Sequence, residues 1–182
     1  MDKDIQVPGY GCEESAIRET ITNHYITEEM NTIEQKIRII AERMGNVNYL
    51  YDGWGLINLR ADKTPTPIMV NVLPVSGAIN MGGRRITESQ DCIIGFLDKT
   101  DYDFDGTQND AIIERMKKLA IEFILTLNES GLFEPISGEV PMSIEYNLLD
   151  VNLTGVVLTL RLEEKQGIVM CFGKPIKDYF NE

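Results

Sequence analysis

Ile33, Ile37, Ile40 and Met44 recur at the three- and four-residue intervals that place side chains on one face of a helix. Asn31 stands where a cap belongs, and Glu34 follows three residues later, as a capping box requires. Gly45 fits the left-handed position just past a helix end. The spacing predicts a helix over Asn31–Met44. A longer stripe lies further along the chain. Ile112, Met116, Leu119, Ala120, Phe123, Ile124 and Leu127 share one face of a predicted helix from Asp110 to Asn128, with Gly131 as its stop. Ile121 and Leu125 fall on the opposite side. Two readings are open for them: hydrophobes exposed singly, which are common on protein surfaces, or part of a subunit interface.

Between and after these helices the pattern turns to strands. Leu56–Leu59 reads as a short strand, and Lys63-Thr-Pro-Thr-Pro67 as a loop or edge, because proline cannot donate to a central ladder. Ile68–Val75 reads as a strand interrupted at Pro74. Three glycines in Gly77–Gly83 suit a flexible hairpin tip, Gly82 and Gly83 among them. Arg84–Leu97 returns as a long strand, richest in apolar residues at Cys92, Ile93, Ile94, Phe96 and Leu97. Asp98–Asn109 is a polar turn. Met142–Leu149 alternates in part, and Leu153–Leu162 alternates clearly through Val156, Leu158, Leu160 and Leu162. With turn residues at Asp150-Val-Asn152 between them, the two runs predict a β-hairpin. Gly167–Phe172 can add a last edge strand. This order predicts an α/β protein of the α+β kind, a mainly antiparallel sheet with helices packed on one face.

The chain divides by pattern into three parts. Residues 1–30 form an N-terminal appendage with a short helix from about Glu13 to Ile26, where Ile17, Ile21 and Tyr25 recur every four residues. Residues 31–172 form the domain, and residues 173–182 a polar tail. A length of 182 residues suits one domain with such an appendage. No apolar run approaches the roughly 20 residues that cross a bilayer, and Met-Asp-Lys-Asp-Ile at the start lacks a signal pattern. Synthesis in a cytoplasm, with no membrane partner, is the expectation.

Charge and chemistry narrow the function classes. The net charge of −12 repels phosphate and argues against tight nucleic-acid binding. It keeps the protein soluble. It would equally suit the wall of a passage through which DNA slides, where basic contacts would act as brakes. Cys12, Cys92 and Cys171 are an odd, widely spaced set, which predicts neither a disulfide framework nor a zinc site. Cys92 and Cys171 lie in apolar runs and read as buried thiols. Asp101, Asp103 and Asp105, followed by Gly106, match the opening of a calcium loop. The twelfth position, where a bidentate Glu belongs, is Ile112, so these acids are weak metal candidates and stronger candidates for capping the following helix. The single histidine, His24, has no triad to join. Gly82-Gly83-Arg84-Arg85 reads as a hairpin turn with charges on its shoulder rather than a phosphate seat. Glu163 and Glu164 read as solvated carboxylates at a strand end. Trp54, between Gly53 and Gly55, fits either an interface anchor or core packing. No catalytic residue and no cofactor is expected.

The order of elements resembles the tail-terminator and head–tail joining (neck) proteins of long-tailed bacteriophages, and more loosely prophage tail-region proteins of gut Bacteroidales. The likeness is carried by the helix Asn31–Met44, the strand Cys92–Leu97, the long helix ending Leu125-Thr-Leu-Asn-Glu-Ser-Gly131, and the final hairpin with Leu149-Asp-Val-Asn-Leu-Thr-Gly155-Val-Val-Leu. It covers roughly residues 30–171. It implies a structural, non-enzymatic virion subunit that closes a ring, often a hexamer, joining or terminating a tail. Its partners would be copies of itself and other neck or tail proteins, with DNA only in transit through a lumen. Different faces of one subunit meet in such a ring, which would occupy Ile121, Leu125, Trp54 and the glycine-rich 77–83 segment. The alternatives are another baseplate or tail interaction module, or a divalent-metal or ligand-binding protein.

Overall fold

The computed structural model describes residues 32–82, 85–101, 105–165 and 168–169. The proposed appendage 1–30 with His24 and Cys12, and the tail 173–182, lie outside the described residues, as do Cys171, Asp103 and Gly83.

The first helix, α1, spans Ile33–Met44. Its cap is Thr32 rather than Asn31, one residue later than the spacing suggested. The Thr32 hydroxyl accepts from the Gln35 amide at 3.2 Å, and the Gln35 side chain accepts from the Thr32 amide at 2.8 Å. Thr32 and Gln35 are as competent a pair as Asn31 and Glu34, and this register leaves Glu34 free to pair with Arg38 and Tyr49. Gly45 ends the helix at φ 70°, as expected. Strand β1 (Asn48–Asp52) follows, and then a helix, α2 (Trp54–Ala61), where the sequence suggested a strand over Leu56–Leu59. Gly53 opens α2 with its carbonyl accepting from Leu56 and Ile57. Ile57 and Ala61, four apart, are the two buried residues of the helix.

Strands β2 (Ile68–Asn80) and β3 (Arg85–Lys99) form a long antiparallel hairpin, paired out to Asn80 opposite Thr87. Gly77–Asn80 of the glycine-rich segment are therefore strand, and only from Met81 does the segment belong to the hairpin connection. A Cβ on Gly77 would lie 2.9 Å from the Ser89 carbonyl oxygen, so glycine there permits close approach of the two strands. The ladder is irregular between Val72 and Ser76, around Pro74. The long helix α3 runs Gly106–Ser130, starting earlier than its apolar stripe because Asp105 and Gln108 form a capping box, 2.9 and 3.0 Å. Gly131, at φ 71°, ends it. Strands β4 (Met142–Leu148) and β5 (Leu153–Glu163) form the expected hairpin, and β6 (Ile168–Val169) pairs with the start of β3.

The sheet order is β1-β2-β3-β5-β4, with β6 beside the start of β3. Only β1 and β2 are parallel among these pairs, the rest antiparallel, so the fold is α+β as predicted. Alternation along the strands builds two cores. On one face, Met69, Cys92, Ile94, Phe96, Val156, Leu158, Leu160 and Leu162 pack against α1 and α3, with the Phe96 and Phe123 rings 5.8 Å apart. The two helices predicted within residues 31–172 share this face, whereas α2 lies on the other, so the helices are not all packed on one face as expected. On the other, Ile68, Val70, Val72, Leu97 and Leu153 pack under α2. The Asn58 side chain ties α2 to the β4–β5 turn, donating to the Asp150 carboxylate at 2.6 Å and accepting from its amide at 2.9 Å.

Candidate functional site

Three described surfaces combine exposure with apolar character. The first is the hairpin arm. Beyond Ser89, opposite the end of β5, the arm's β2 strand is exposed from Ser76 onward, and Ile79 and Met81 are 71% and 63% accessible. Gly82 is exposed just past β2. The second is β4, the last strand of the sheet, which exposes Met142, Ile144 and Tyr146. Met142 and Ile144 lie opposite Leu158 and Val156, so they point to the α1–α3 side of the sheet and remain uncovered there. The third comprises helix faces: Ile121 and Leu125, 58% and 56% accessible on the outer side of α3, and Leu56 and Leu59 on α2.

The sequence candidates divide accordingly. Ile121 and Leu125 are exposed as their helix phase required. Trp54 is only half-buried and packs against the core under α2, which makes it a packing residue with one accessible side. Asp105 serves as the cap of α3, and Asp101 is exposed. Among the described residues, no group of three or more His, Cys, Asp or Glu side chains is placed to hold a metal ion. Ile79, Met81, Met142, Ile144 and Tyr146 were not singled out by the sequence. Their signal was present as the period-2 apolar positions of the two strands, but alternation alone does not tell whether a face is covered.

A shallow cavity of about 500 Å³ lies beside the edge of β5, under residues 134–141. Its polar walls include Asp91, Glu134, Glu139, Arg161 and Glu163. Arg161 pairs with Asp91 at 3.1 Å and donates to the Ser89 hydroxyl at 2.8 Å. The Ser76 hydroxyl, with Arg161 beside it, holds the Asp91 carboxyl below its ordinary range. The strongly shifted groups lie elsewhere. Burial pushes the Cys92 thiol up to about 12, and burial likewise raises the Tyr49 phenol. Neither lines the cavity. Tyr49 belongs to a polar chain under α1: Asn71 donates to its oxygen at 2.9 Å, its hydroxyl donates to Glu34 at 3.2 Å, and the Arg38 guanidinium lies 5.5 Å from its ring centroid. The chain pins α1 to β1 and β2.

Comparison with protein-family models and with curated protein sequences returns no match. Among the described residues, no helix is long and apolar enough to cross a membrane.

Proposed function

We propose that the protein is a structural subunit of a bacteriophage neck or tail, assembling with copies of itself into a ring that joins or terminates the tail and lets DNA pass. The observation that carries this reading is the presence, on one acidic chain, of an exposed β2 end bearing Ile79 and Met81 and of an apolar β4 edge that no described strand pairs. Such complementary but different surfaces suit heterologous contacts, which close into rings when the rotation per subunit allows. The exposed side chains of α2 and α3 offer further contact area for neighbouring neck or tail proteins. A net charge of −12 supports a lumen along which DNA slides without binding.

Light scattering and negative-stain imaging of the purified full-length chain test the self-assembly. Rings of uniform diameter are the expected result. A chain that stays monomeric at high concentration, with and without virion proteins, refutes the ring. Mass spectrometry of purified virions tests the setting, and absence of the chain from them removes the virion assignment.

A further inference from the structure

Two strands at opposite sides of the sheet leave backbone groups unpaired among the described residues. β1 pairs with β2 only over Ile68–Val72, so the outer side of Leu73–Asn80 meets no described strand. Across the sheet, β5 is the one described strand that pairs with β4, and the outer side of Met142–Leu148 meets no other described strand. The two open stretches are similar in length. Edge strands of proteins that stay single are ordinarily blunted by charge, proline or a bulge. Here Leu73–Gly82 contains no charged residue, and β4 contains one, Glu145. Pro74 and the irregularity beside it blunt only the near end of the overhang, and pairing with β3 is regular from Ser76 to Asn80.

The faces match as well. Ile79 lies opposite Glu88, and Glu88 shares its side of β3 with Cys92, the side that carries α1 and α3. Met142 and Ile144 point to the same side. If the two edges joined with their helix layers on one side, Ile79 would fall beside the β4 apolar row. Apolar cross-strand neighbours of this kind are the unit of sheet stabilisation. Charge on the overhang is mixed, with Glu88 opposite Ile79 and Arg84 and Arg85 following in sequence, whereas the charges along and beside β4, Glu139, Glu145 and Asp150, are all acidic.

We propose that the β2 overhang of one copy pairs with β4 of the next, continuing one sheet across the joint with Ile79 and Met81 against Met142 and Ile144. This rests on the self-assembly part of the function proposed above and assigns its contact. Every copy carries one overhang and one open β4, so each joint leaves one of each free for the next addition.

Sedimentation velocity of the full chain tests this with two variants. Ile79→Asp with Met81→Asp disables the overhang, and Met142→Asp with Ile144→Asp disables the edge. All four positions are exposed, and circular dichroism verifies the fold. If the Asp variants lose the wild-type spectrum, serine replacements at the same positions are read in the same way. Each variant alone is expected to self-associate roughly tenfold or more weakly than the wild type. An equal mixture is expected to form dimers and stop, because it retains one working overhang and one working edge. Assembly of either variant at wild-type strength overturns the proposal, leaves the ring standing, and gives these edges to another occupant, such as residues 1–31 of the same chain. Monomeric variants whose mixture also stays monomeric overturn it too, since the two surfaces then do not meet. A wild-type chain that never assembles removes the proposal and the ring together.

Discussion

Tyr49→Phe removes one oxygen from the polar chain beneath α1. Asn71 is 3% accessible, and its side-chain amide donates to the Tyr49 oxygen at 2.9 Å. Phenylalanine keeps the ring and its contact with Arg38 but leaves that donor buried without its acceptor. Glu34 also loses a donor, yet it keeps Arg38 at 2.7 Å and is less affected. An orphaned buried donor costs about 1–3 kcal/mol. With part of that relieved by movement of the half-buried ring, about 2 kcal/mol is expected, or a fall in Tm of about 4–8 °C for a domain of this size. Urea denaturation followed by circular dichroism measures it. Adding Asn71→Leu removes the orphan, so the double variant should be more stable than the sum of the single costs predicts, with a coupling of about 1 kcal/mol or more. The phenol supplies an independent check by pH. Burial raises its folded ionisation above the ordinary 10.0. The unfolded chain therefore releases this proton first, and stability is retained below pH 10 and falls as the pH rises above it. The Phe variant should show a shallower alkaline decline. A single-variant cost below about 0.5 kcal/mol, with an unchanged alkaline slope, would refute the assignment of this chain as the lock between α1 and the sheet.

Gly155→Ala tests close strand approach. A Cβ there would fall on the Phe96 carbonyl oxygen, with the Phe96 carbonyl carbon at 3.0 Å and the Leu97 Cα at 3.1 Å. Backbone cannot yield as a side chain can, so a loss of about 3 kcal/mol or a failure to fold is expected, and near-wild-type urea stability would contradict the geometry. Cys92 should resist alkylation in the folded protein and react on unfolding, because it is 2% accessible and burial holds its thiol protonated up to about 12. Peptide mapping after iodoacetamide treatment at pH 8 reads this directly, and rapid native labelling at Cys92 would count against the burial.

What was legible in the sequence was what is local. The stripes of α1 and α3, the stops at Gly45 and Gly131, and the β4–β5 hairpin follow from periodicity and cap chemistry within a few residues. The α1 cap falls one residue later than the spacing suggests because Asn31 and Thr32 are both residue types that cap well, and Thr32 closes the box with Gln35 while Glu34 pairs with Arg38 and Tyr49. α2 was hidden because an eight-residue helix with two buried residues, Ile57 and Ala61, shows no stripe, while its exposed Leu56 and Leu59 imitate a strand. β1 was missed because Tyr49, Leu50 and Tyr51 are all half-buried and show no contrast between faces. Gly77 looked like a turn residue, whereas its role is to admit the neighbouring strand. The surfaces were the least legible part. Ile121 and Leu125 could be placed outside by helix phase. Ile144 could not, because an apolar residue at a strand's inward position is exposed only when the helix layer stops short of that strand.

That shortfall ties the fold to the proposed assembly. α1 packs over β1 and α3 over β3 and β5, and among the described residues the helix layer ends before β4. A third helix on that side would have covered Met142 and Ile144 without disturbing the remaining core, and one charged residue in Leu73–Gly82 would have protected the overhang at little cost to the fold. The described residues supply no such helix, and Leu73–Gly82 carries no charge. Open edges of this kind are a liability in a protein that stays single, since they template unregulated pairing. They become useful when the partner is specified and the series closes, because a closed ring uses every edge whereas an open fibre always leaves two. The net charge of −12 works in the same direction. It opposes nonspecific association of copies across their acidic surfaces, whereas the proposed edge pairing would gain backbone hydrogen bonds and apolar contact together.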